Sequence, residues 1–252
     1  MDFTPKLVAF DLDGTLAESK QPVTKEMGEL LGKLLQKMPV AVMSGAGFPQ
    51  FERQFLPALP TDINFAHLYI FPDSAAQCWQ YKHNAWQTVY NKAFTHEEKE
   101  HIMSVLAQAL AEVGLSHAPV RVWGERVEDR DAEIAFSPLG QQAPLKEKEV
   151  WHKSHDDMRQ KLHEALVREL PEFANATGGL TTIDITRKGI TKAYGLGELA
   201  KMSGIPISSM LYVGDALKEG GNDAVVIPTG IRTQEVSGPI ETAKVIEEVL
   251  AQ

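Results

Sequence analysis

The stretch that decides the fold lies near the start of the chain and reads Leu7-Val8-Ala9-Phe10-Asp11-Leu12-Asp13-Gly14-Thr15. Its four leading apolar residues are typical of a parallel strand that is buried on both faces. Asp11 and Asp13 follow at the carboxyl end of that strand, where parallel α/β sheets bind their ligands. Gly14 and Thr15 permit a sharp turn, so we expect both carboxylates to reach one cleft.

Alternating strand and helix patterns continue on both sides of a long central segment. Such alternation predicts an α/β fold whose core is a Rossmann-like, doubly wound parallel sheet. The elements predicted for this core are a helix at Thr24–Gln36, strands at Val40–Met43 and Leu68–Phe71, a hairpin at Trp79–Tyr81 and Trp86–Tyr90, a helix at Thr191–Ser203, strands at Met210–Val213 and Ala224–Ile227, and a helix at Gly238–Leu250.

The central segment has a different pattern and predicts an inserted α+β cap domain. Thr95 and Glu98 have the spacing of a helix capping box, and a second helix is expected at about His155–Leu170. Strands are expected at Val120–Val127, Ala132–Phe136 and Leu180–Thr186, and an exposed turn at Lys146–Glu149. We therefore expect residues 1–94 and 186–252 to form the core and residues 95–185 to form the cap.

The overall charge and composition exclude several classes of protein. The net charge is -9, which disfavours a general nucleic-acid binder because the phosphate backbone demands clustered Lys and Arg. No apolar run approaches the roughly 18 to 20 residues of a membrane span, and no signal-peptide layout is present. The single cysteine, Cys78, fits a reducing compartment, so we expect a cytoplasmic protein that binds no membrane. Homodimer formation stays an open alternative.

Two carboxylates after one strand are suited to phosphoryl transfer. Asp11 can attack as a nucleophile while Asp13 handles protons, which splits the reaction into two easier steps. Because a phosphate dianion repels this nucleophile, the site needs positive charge, and Mg²⁺ prefers carboxylate and phosphate oxygens together. We expect Asp215 to be a direct metal ligand beside Asp11 and Asp13. Asn222 and Asp223 are expected as further ligands or as partners of metal-bound water.

Three further residues are candidates for binding the reacting phosphate. Ser44 follows the predicted strand Val40–Met43 and can donate a hydroxyl hydrogen bond to a phosphoryl oxygen. Gly45 and the small residues after it leave room for backbone N–H donors. Lys192, near the start of a predicted helix, can neutralise both the nucleophile and the phosphate.

In this order, these segments resemble the haloacid dehalogenase superfamily of phosphatases and phosphomutases. The resemblance implies that Asp11 is the nucleophile, Asp13 the general acid/base and Asp215 the acidic metal ligand. It implies that Ser44 and Lys192 bind the phosphate. The long insertion matches the capped subclass IIB of this superfamily.

Within this subclass the chain is similar to the phosphomannomutase family. The similarity lies in Lys20-Gln21, Glu128-Asp129-Arg130, Ser137-Pro138-Leu139-Gly140, Gly178-Gly179, the strand of Asp184, and Gly220-Gly221-Asn222-Asp223. It implies that a distal phosphate is held by cap residues and by one core residue. The substrate-binding residues expected on this basis are Lys20, Arg130, Ser137, Gln141, Thr182 and Asp184.

The chain departs from that family's pattern at two of these positions. Gln141 and Lys20 stand where arginine is usual. Lysine lacks the bidentate fork of arginine, and glutamine carries no charge, so the expected grip on a distal phosphate is weaker. We therefore expect a Mg²⁺-dependent enzyme for a small phosphorylated sugar and leave two activities open: a mutase that interconverts hexose 1- and 6-phosphates, and a phosphatase. A non-catalytic sugar-phosphate-binding protein is a remote alternative.

Overall fold

The computed structural model describes residues 3–19 and 21–252, which form two compact units. The first unit contains the chain up to Asn91 together with Ile190–Gln252, and the second unit is Lys92–Gly189. The second unit therefore interrupts the first one in sequence.

Strands outnumber α-helices in the described residues. The strands are β1 (Leu7–Asp11), β2 (Val40–Met43), β3 (Leu68–Phe71), β4 (Gln77–Lys82), β5 (Ala85–Asn91), β6 (Val127–Asp129), β7 (Glu133–Phe136), β8 (Phe173–Gly178), β9 (Thr182–Arg187), β10 (Met210–Gly214) and β11 (Arg232–Glu235). The α-helices are α1 (Lys25–Lys37), α2 (Phe48–Gln54), α3 (His96–Glu112), α4 (Leu145–Glu169), α5 (Lys192–Ser203) and α6 (Pro239–Leu250).

The first unit is built on a seven-stranded sheet with the order β11-β10-β1-β2-β3-β4-β5. The pairings from β11 through β3 are parallel, and β4 and β5 add an antiparallel hairpin at one edge. Alternate residues of β1 point into different apolar clusters: Val8 and Phe10 join the cluster that includes α1 and α6, whereas Leu7 and Ala9 join that of α5. Helices thus cover both faces, which explains why the central strands are continuously apolar. This confirms the predicted doubly wound core.

The second unit contains a four-stranded antiparallel sheet with the order β6-β7-β9-β8. Ile134 of β7 and Ile185 of β9 face the apolar cluster formed with α3 and α4. Side chains alternate along a strand, so Ala135 and Asp184 point to the opposite face of this sheet. The predicted capping box is present at α3, where Thr95 and Glu98 exchange side-chain-to-backbone hydrogen bonds of 3.2 and 2.6 Å.

Three local predictions in the second unit were wrong. Within Val120–Val127 only the last residue belongs to a strand, and Gly124 with its positive φ of 74° interrupts the extended backbone before it. The expected turn Lys146–Glu149 is helical, and α4 begins at Leu145 rather than near His155. Strand β8 was not anticipated, since its sequence FANATG lacks a clear alternation.

In the first unit one predicted strand was wrong and one short helix was missed. The expected strand Ala224–Ile227 is part of a 3₁₀ helix, with Val226 buried and Ile227 exposed. The strand of this region is instead β11, whose polar sequence RTQE suits a sheet edge. The short helix α2 was missed, and it carries residues that contact Asp13.

No helix in the part of the chain that the structure describes is both long enough and apolar enough to span a membrane.

Candidate active site

The carboxyl ends of three adjacent strands bring the main candidate residues of the first unit to one edge of the sheet. Asp11 ends β1 and is in register with Met43 of β2, directly before Ser44. On the other side, Phe10 is in register with Val213 of β10, two residues before Asp215. The two motifs that are distant in sequence are therefore neighbours in space.

Lys192 forms a buried link between two carboxylates. Its Nζ atom lies 2.5 Å from Asp11 Oδ1 and 2.6 Å from Asp223 Oδ1. Lys192 is 2% exposed, Asp11 4% and Asp223 0%. Thr191 caps α5 by accepting a hydrogen bond from the Tyr194 backbone N–H, which fixes Lys192 in the first turn of this helix.

Burial and neighbouring charges together set the protonation of this group. Burial raises the pKa of Asp11 to about 6, with Lys192 opposing the rise and Asp223 adding to it. Burial also disfavours the Lys192 ammonium, but Asp11 and Asp223 outweigh that effect and raise the pKa of Lys192. Lys192 is therefore charged at neutral pH, and Asp11 is mainly a carboxylate there.

Asp11, Asp215 and Asp223 form a group that could hold a metal ion. Each offers a carboxylate oxygen, and these oxygens lie within 4.8 Å of one another. Three carboxylates carry a formal charge of -3, while the Lys192 ammonium that contacts two of them supplies +1. This excess negative charge and the all-oxygen donor set fit a hard divalent cation.

Two glycines allow these carboxylates to approach the backbone closely. Gly14 has a φ of 86°, and a Cβ atom there would lie 2.5 Å from Asp215 Oδ2. A Cβ atom at Gly214 would overlap the carboxylate of Asp223. Thr15 adds a 3.3 Å hydrogen bond from its hydroxyl to Asp215 Oδ1. Burial is the largest cause of a raised pKa at Asp215.

Asp223 is held by donors from three directions. Besides Lys192, the Tyr212 hydroxyl donates to Asp223 Oδ1 at 2.5 Å, and the Ala216 backbone N–H donates to Oδ2 at 3.2 Å. Burial raises the pKa of Tyr212 well above its ordinary value, so its hydroxyl stays protonated and acts as a donor. Asn222, by contrast, is exposed in the preceding turn.

Asp13 contacts two glutamine side chains from α2. Gln54 Nε2 donates to Asp13 Oδ1 at 2.9 Å, and Gln50 Nε2 donates to Asp13 Oδ2 at 3.2 Å. Within the described residues, the three-carboxylate group that could hold a metal does not include the Asp13 side chain. The metal-ligand role of Asp13 stays a prediction.

Ser44 lies where a phosphate-binding hydroxyl is expected. It is 3% exposed, and its Oγ atom accepts a hydrogen bond of 3.1 Å from the Ala46 backbone N–H. Because a hydroxyl accepts and donates at once, this contact is compatible with donation to a phosphoryl oxygen. Gly45 is half-buried beside it, and a Cβ atom at Gly45 would lie 3.7 Å from Ser74 Oγ.

The predicted distal-phosphate residues of the second unit lie in an acidic environment. Arg130 donates to Glu128 Oε2 at 2.8 Å and to Glu133 Oε1 at 2.5 Å. Glu128, Ala135 and Asp184 are cross-strand neighbours on one face of the sheet. Burial raises the pKa of Asp184, and Arg130 opposes that rise.

The remaining predicted substrate residues that the structure describes hydrogen-bond to backbone carbonyl oxygens within six residues of them. The wholly buried Ser137 hydroxyl donates to Gly140 O at 3.1 Å, and Thr182 Oγ1 donates to Gly178 O. Gln141 Nε2 donates to Ala135 O at 3.0 Å. Lys20 lies outside the described residues, and the substrate-binding roles of this set stay predictions.

Three residues of the first-unit site were not found from the sequence. Gln50 and Gln54 escaped notice because the seven-residue α2 contains too few turns for a clear helical period. Tyr212 was interpreted only as part of an apolar strand. A polar hydroxyl in the middle of an otherwise aliphatic buried strand was the available signal, since buried tyrosines need a partner.

Several known proteins are similar to this chain in sequence. The phosphomannomutase of Saccharomyces cerevisiae is 28% identical over 251 residues, covering 96% of this chain and 93% of its own. Human phosphomannomutase 1 is 27% identical over 226 residues, covering 86% of this chain and 81% of its own.

Solved structures show the same fold at lower identity. A haloacid dehalogenase-like hydrolase from Bacteroides thetaiotaomicron matches with a TM-score of 0.65 and 15% identity, covering 97% of this chain and 99% of its own. An N-terminally truncated, IMP-bound IMP-nucleotidase from Plasmodium falciparum matches with a TM-score of 0.66 and 15% identity. This match covers 98% of this chain and 68% of the nucleotidase chain. The family model for eukaryotic phosphomannomutase matches residues 27–252, and the chain therefore belongs to the eukaryotic phosphomannomutase family.

Proposed function

We propose that this chain is a Mg²⁺-dependent phosphotransferase that interconverts hexose 1- and 6-phosphates through an aspartyl-phosphate on Asp11. The observation that carries the proposal is the buried contact between Asp11 and Lys192, beside Asp215 and Asp223. A carboxylate held against a fixed ammonium is oriented for attack, and the same ammonium can offset the charge of an incoming phosphate. Membership of the phosphomannomutase family supports the sugar-phosphate substrate.

Two steps follow from the residues present. Asp11 attacks phosphorus through a carboxylate oxygen, the bond from phosphorus to the sugar oxygen breaks, and Asp13 gives that oxygen a proton. In the second step Asp13 takes a proton from a hydroxyl of a hexose monophosphate, whose oxygen attacks phosphorus and releases Asp11. The hexose 1,6-bisphosphate formed in this way returns its other phosphoryl group to Asp11 and leaves as the isomeric monophosphate. Lys192 stays beside Asp11 throughout, and Ser44 is the expected donor to a phosphoryl oxygen.

The residues that would hold Mg²⁺ are Asp11, Asp215 and Asp223. Their shared negative charge fits the ion, and bound Mg²⁺ would supply positive charge for the phosphoryl oxygens. Asn222 and Asp13 remain proposed as additional partners. The cytoplasmic location and the homodimer stay predictions.

One observation favours a second candidate function, simple hydrolysis of a sugar phosphate. A mutase must grip the distal phosphate of a bisphosphate, yet Arg130 is already engaged by Glu128 and Glu133. Gln141 donates its amide to Ala135 O and offers no charge. In this alternative Asp13 activates water instead of a sugar hydroxyl in the second step.

The first test is the covalent intermediate. Wild-type protein incubated with Mg²⁺ and a ³²P-labelled hexose 1-phosphate should retain acid-stable, hydroxylamine-sensitive label. Asp11→Asn should lose the label and more than about 99% of turnover, while Asp62→Asn, a matched change at an exposed site, should keep both. Turnover above a few per cent in Asp11→Asn would reject the covalent mechanism.

A paired assay separates mutase from phosphatase. Mannose and glucose phosphates are supplied with Mg²⁺, with and without a hexose 1,6-bisphosphate, and free phosphate and isomer conversion are followed separately. Conversion faster than phosphate release establishes the mutase. Phosphate release without conversion establishes the hydrolase and identifies the Arg130 and Gln141 contacts as the first positions to change.

A further inference from the structure

We propose that Gln54 and Gln50 are positioning residues that hold the Asp13 carboxylate in the orientation required for proton transfer. This inference rests on the proposed function, in which Asp13 is the general acid/base. The proposal gives a role to α2, because this short helix follows Ser44 and carries both glutamines that contact Asp13.

Three hydrogen bonds link the side chains of Asp13, Gln50 and Gln54 to one another. Gln54 Nε2 donates to one Asp13 oxygen at 2.9 Å, and Gln50 Nε2 donates to the other at 3.2 Å. Gln50 Nε2 also donates to Gln54 Oε1 at 2.6 Å. Because the Gln54 oxygen is engaged by Gln50, its NH₂ group is the end that faces Asp13. Gln50 therefore fixes the orientation of the Gln54 amide.

The rest of α2 fixes the position of these two amides. Gln50 and Gln54 are one helical turn apart and so share a face. Phe51 and Phe55 on the other side are wholly buried and contact each other edge-to-face. Phe48 stacks on Trp79 with ring centroids 4.0 Å apart. This packing prevents rotation of α2 about its axis.

Fixed donors matter for a general acid/base. Proton transfer needs a heavy-atom separation of roughly 2.6 to 3.2 Å from the reacting oxygen, so a carboxylate free to rotate would be misplaced much of the time. Two amides on opposite oxygens restrict that rotation. The Asp13 side chain is half-buried, whereas its donor Gln54 is 6% exposed and so is itself held in place by the surrounding protein.

Kinetics of Gln→Leu variants test this role. Gln54→Leu should lower kcat on the order of 10- to 100-fold, the loss expected for hydrogen bonds to a charged group, with KM changed less than about 2-fold. Gln50→Leu should lower kcat by about 3- to 10-fold. The matched control Gln87→Leu, at an exposed position on β5, should match wild type.

A double-mutant cycle separates positioning from general stability. In an Asp13→Ala background, Gln54→Leu should reduce the residual rate less than about 2-fold, because its partner is already absent. If Gln54→Leu lowered the rate in the Asp13→Ala background as much as in wild type, the proposal would be overturned. A Gln54→Leu single variant with a raised KM and an unchanged kcat would also overturn it. If Gln54→Leu fails to fold, the same cycle with the less buried Gln50 decides the question.

A spectroscopic measurement does not depend on turnover. In ¹⁵N-labelled protein, the side-chain amide resonances of Gln54 and Gln50 should shift in Asp13→Ala, while those of Gln87 stay in place. Unshifted Gln54 resonances would overturn the proposal. Wild-type protein that turns over no sugar phosphate but shows the shift would reject the proposed function and retain the contact.

Discussion

Removing the Tyr212 hydroxyl should destabilise the first unit more than removing the hydroxyl of a half-buried tyrosine that donates to a neutral acceptor. Tyr212 and Asp223 are both wholly buried, and the Tyr212 hydroxyl donates to Asp223 Oδ1 at 2.5 Å. Tyr212→Phe keeps the ring and its packing but leaves the buried carboxylate with one donor fewer. Lys192 and the Ala216 backbone N–H remain as its donors.

The expected magnitude follows from the charge on the acceptor. Hydrogen bonds to charged groups contribute about 1.5–3 kcal/mol, whereas neutral ones contribute about 0.5–1.5 kcal/mol. The Tyr90 hydroxyl donates to the neutral Ala75 carbonyl oxygen at 2.9 Å, so Tyr90→Phe is the matched control. We expect Tyr212→Phe to lower the free energy of unfolding by about twice as much as Tyr90→Phe. For a chain of this size the Tyr212→Phe loss corresponds to a fall of roughly 3–12 °C in Tm.

Urea titration and differential scanning calorimetry, both in EDTA, measure this difference. EDTA matters because a bound cation would also stabilise Asp223 and mask part of the loss. If Tyr212→Phe lay within about 0.5 kcal/mol of wild type, or cost less than Tyr90→Phe, the buried carboxylate would not depend on the hydroxyl. The assignment of the Tyr212 hydroxyl as a necessary donor to this buried carboxylate would then be wrong.

Three other predictions can be tested with simple variants and reagents. Lys192→Met should reduce sugar-phosphate turnover by about 10³-fold or more, measured as initial rate, because the buried carboxylates lose their shared ammonium. Mg²⁺ at ten times its Kd should raise the free energy of unfolding by about 1.4 kcal/mol in calorimetry, and Asp215→Asn should remove most of that gain. Burial raises the pKa of the Cys78 thiol to about 12. Ellman's reagent should therefore react with Cys78 at least about 100-fold faster in 6 M guanidinium than in the native protein. Equal rates would contradict the burial of this thiol.

The sequence predicted those features that depend on local pattern. The apolar run before Asp11 identified a doubly buried strand, and the alternation of elements identified the parallel core. Since parallel strand ends meet at one edge, the approach of Asp11 to Asp215 followed from topology. The structure adds that Asp223 is the most deeply buried of the three candidate ligands after β10, since Asp215 and Asn222 are exposed.

The features that escaped prediction depend on packing between distant segments. The sequence around Gln54 does not indicate that this residue faces Asp13. The direction of its side chain depends on how Phe51 and Phe55 pack into the core. Likewise, Arg130 has the sequence context of a phosphate ligand, but its engagement by Glu133 depends on how the chain turns between β6 and β7. To predict such contacts, one must know how distant segments pair and pack. A single sequence does not reveal that arrangement.

The interruption of the first unit by the second has a consequence for the newly made protein. Asp11 precedes its partners Lys192 and Asp223 by 181 and 212 residues along the chain. During synthesis β1 exposes the edge that later pairs with β10, and Asp11 has neither the Lys192 ammonium nor the neighbouring carboxylates of Asp215 and Asp223 until those residues have been added. A prematurely terminated chain that contains β1 through β9 therefore carries the proposed nucleophile Asp11 without Lys192, Asp215 or Asp223.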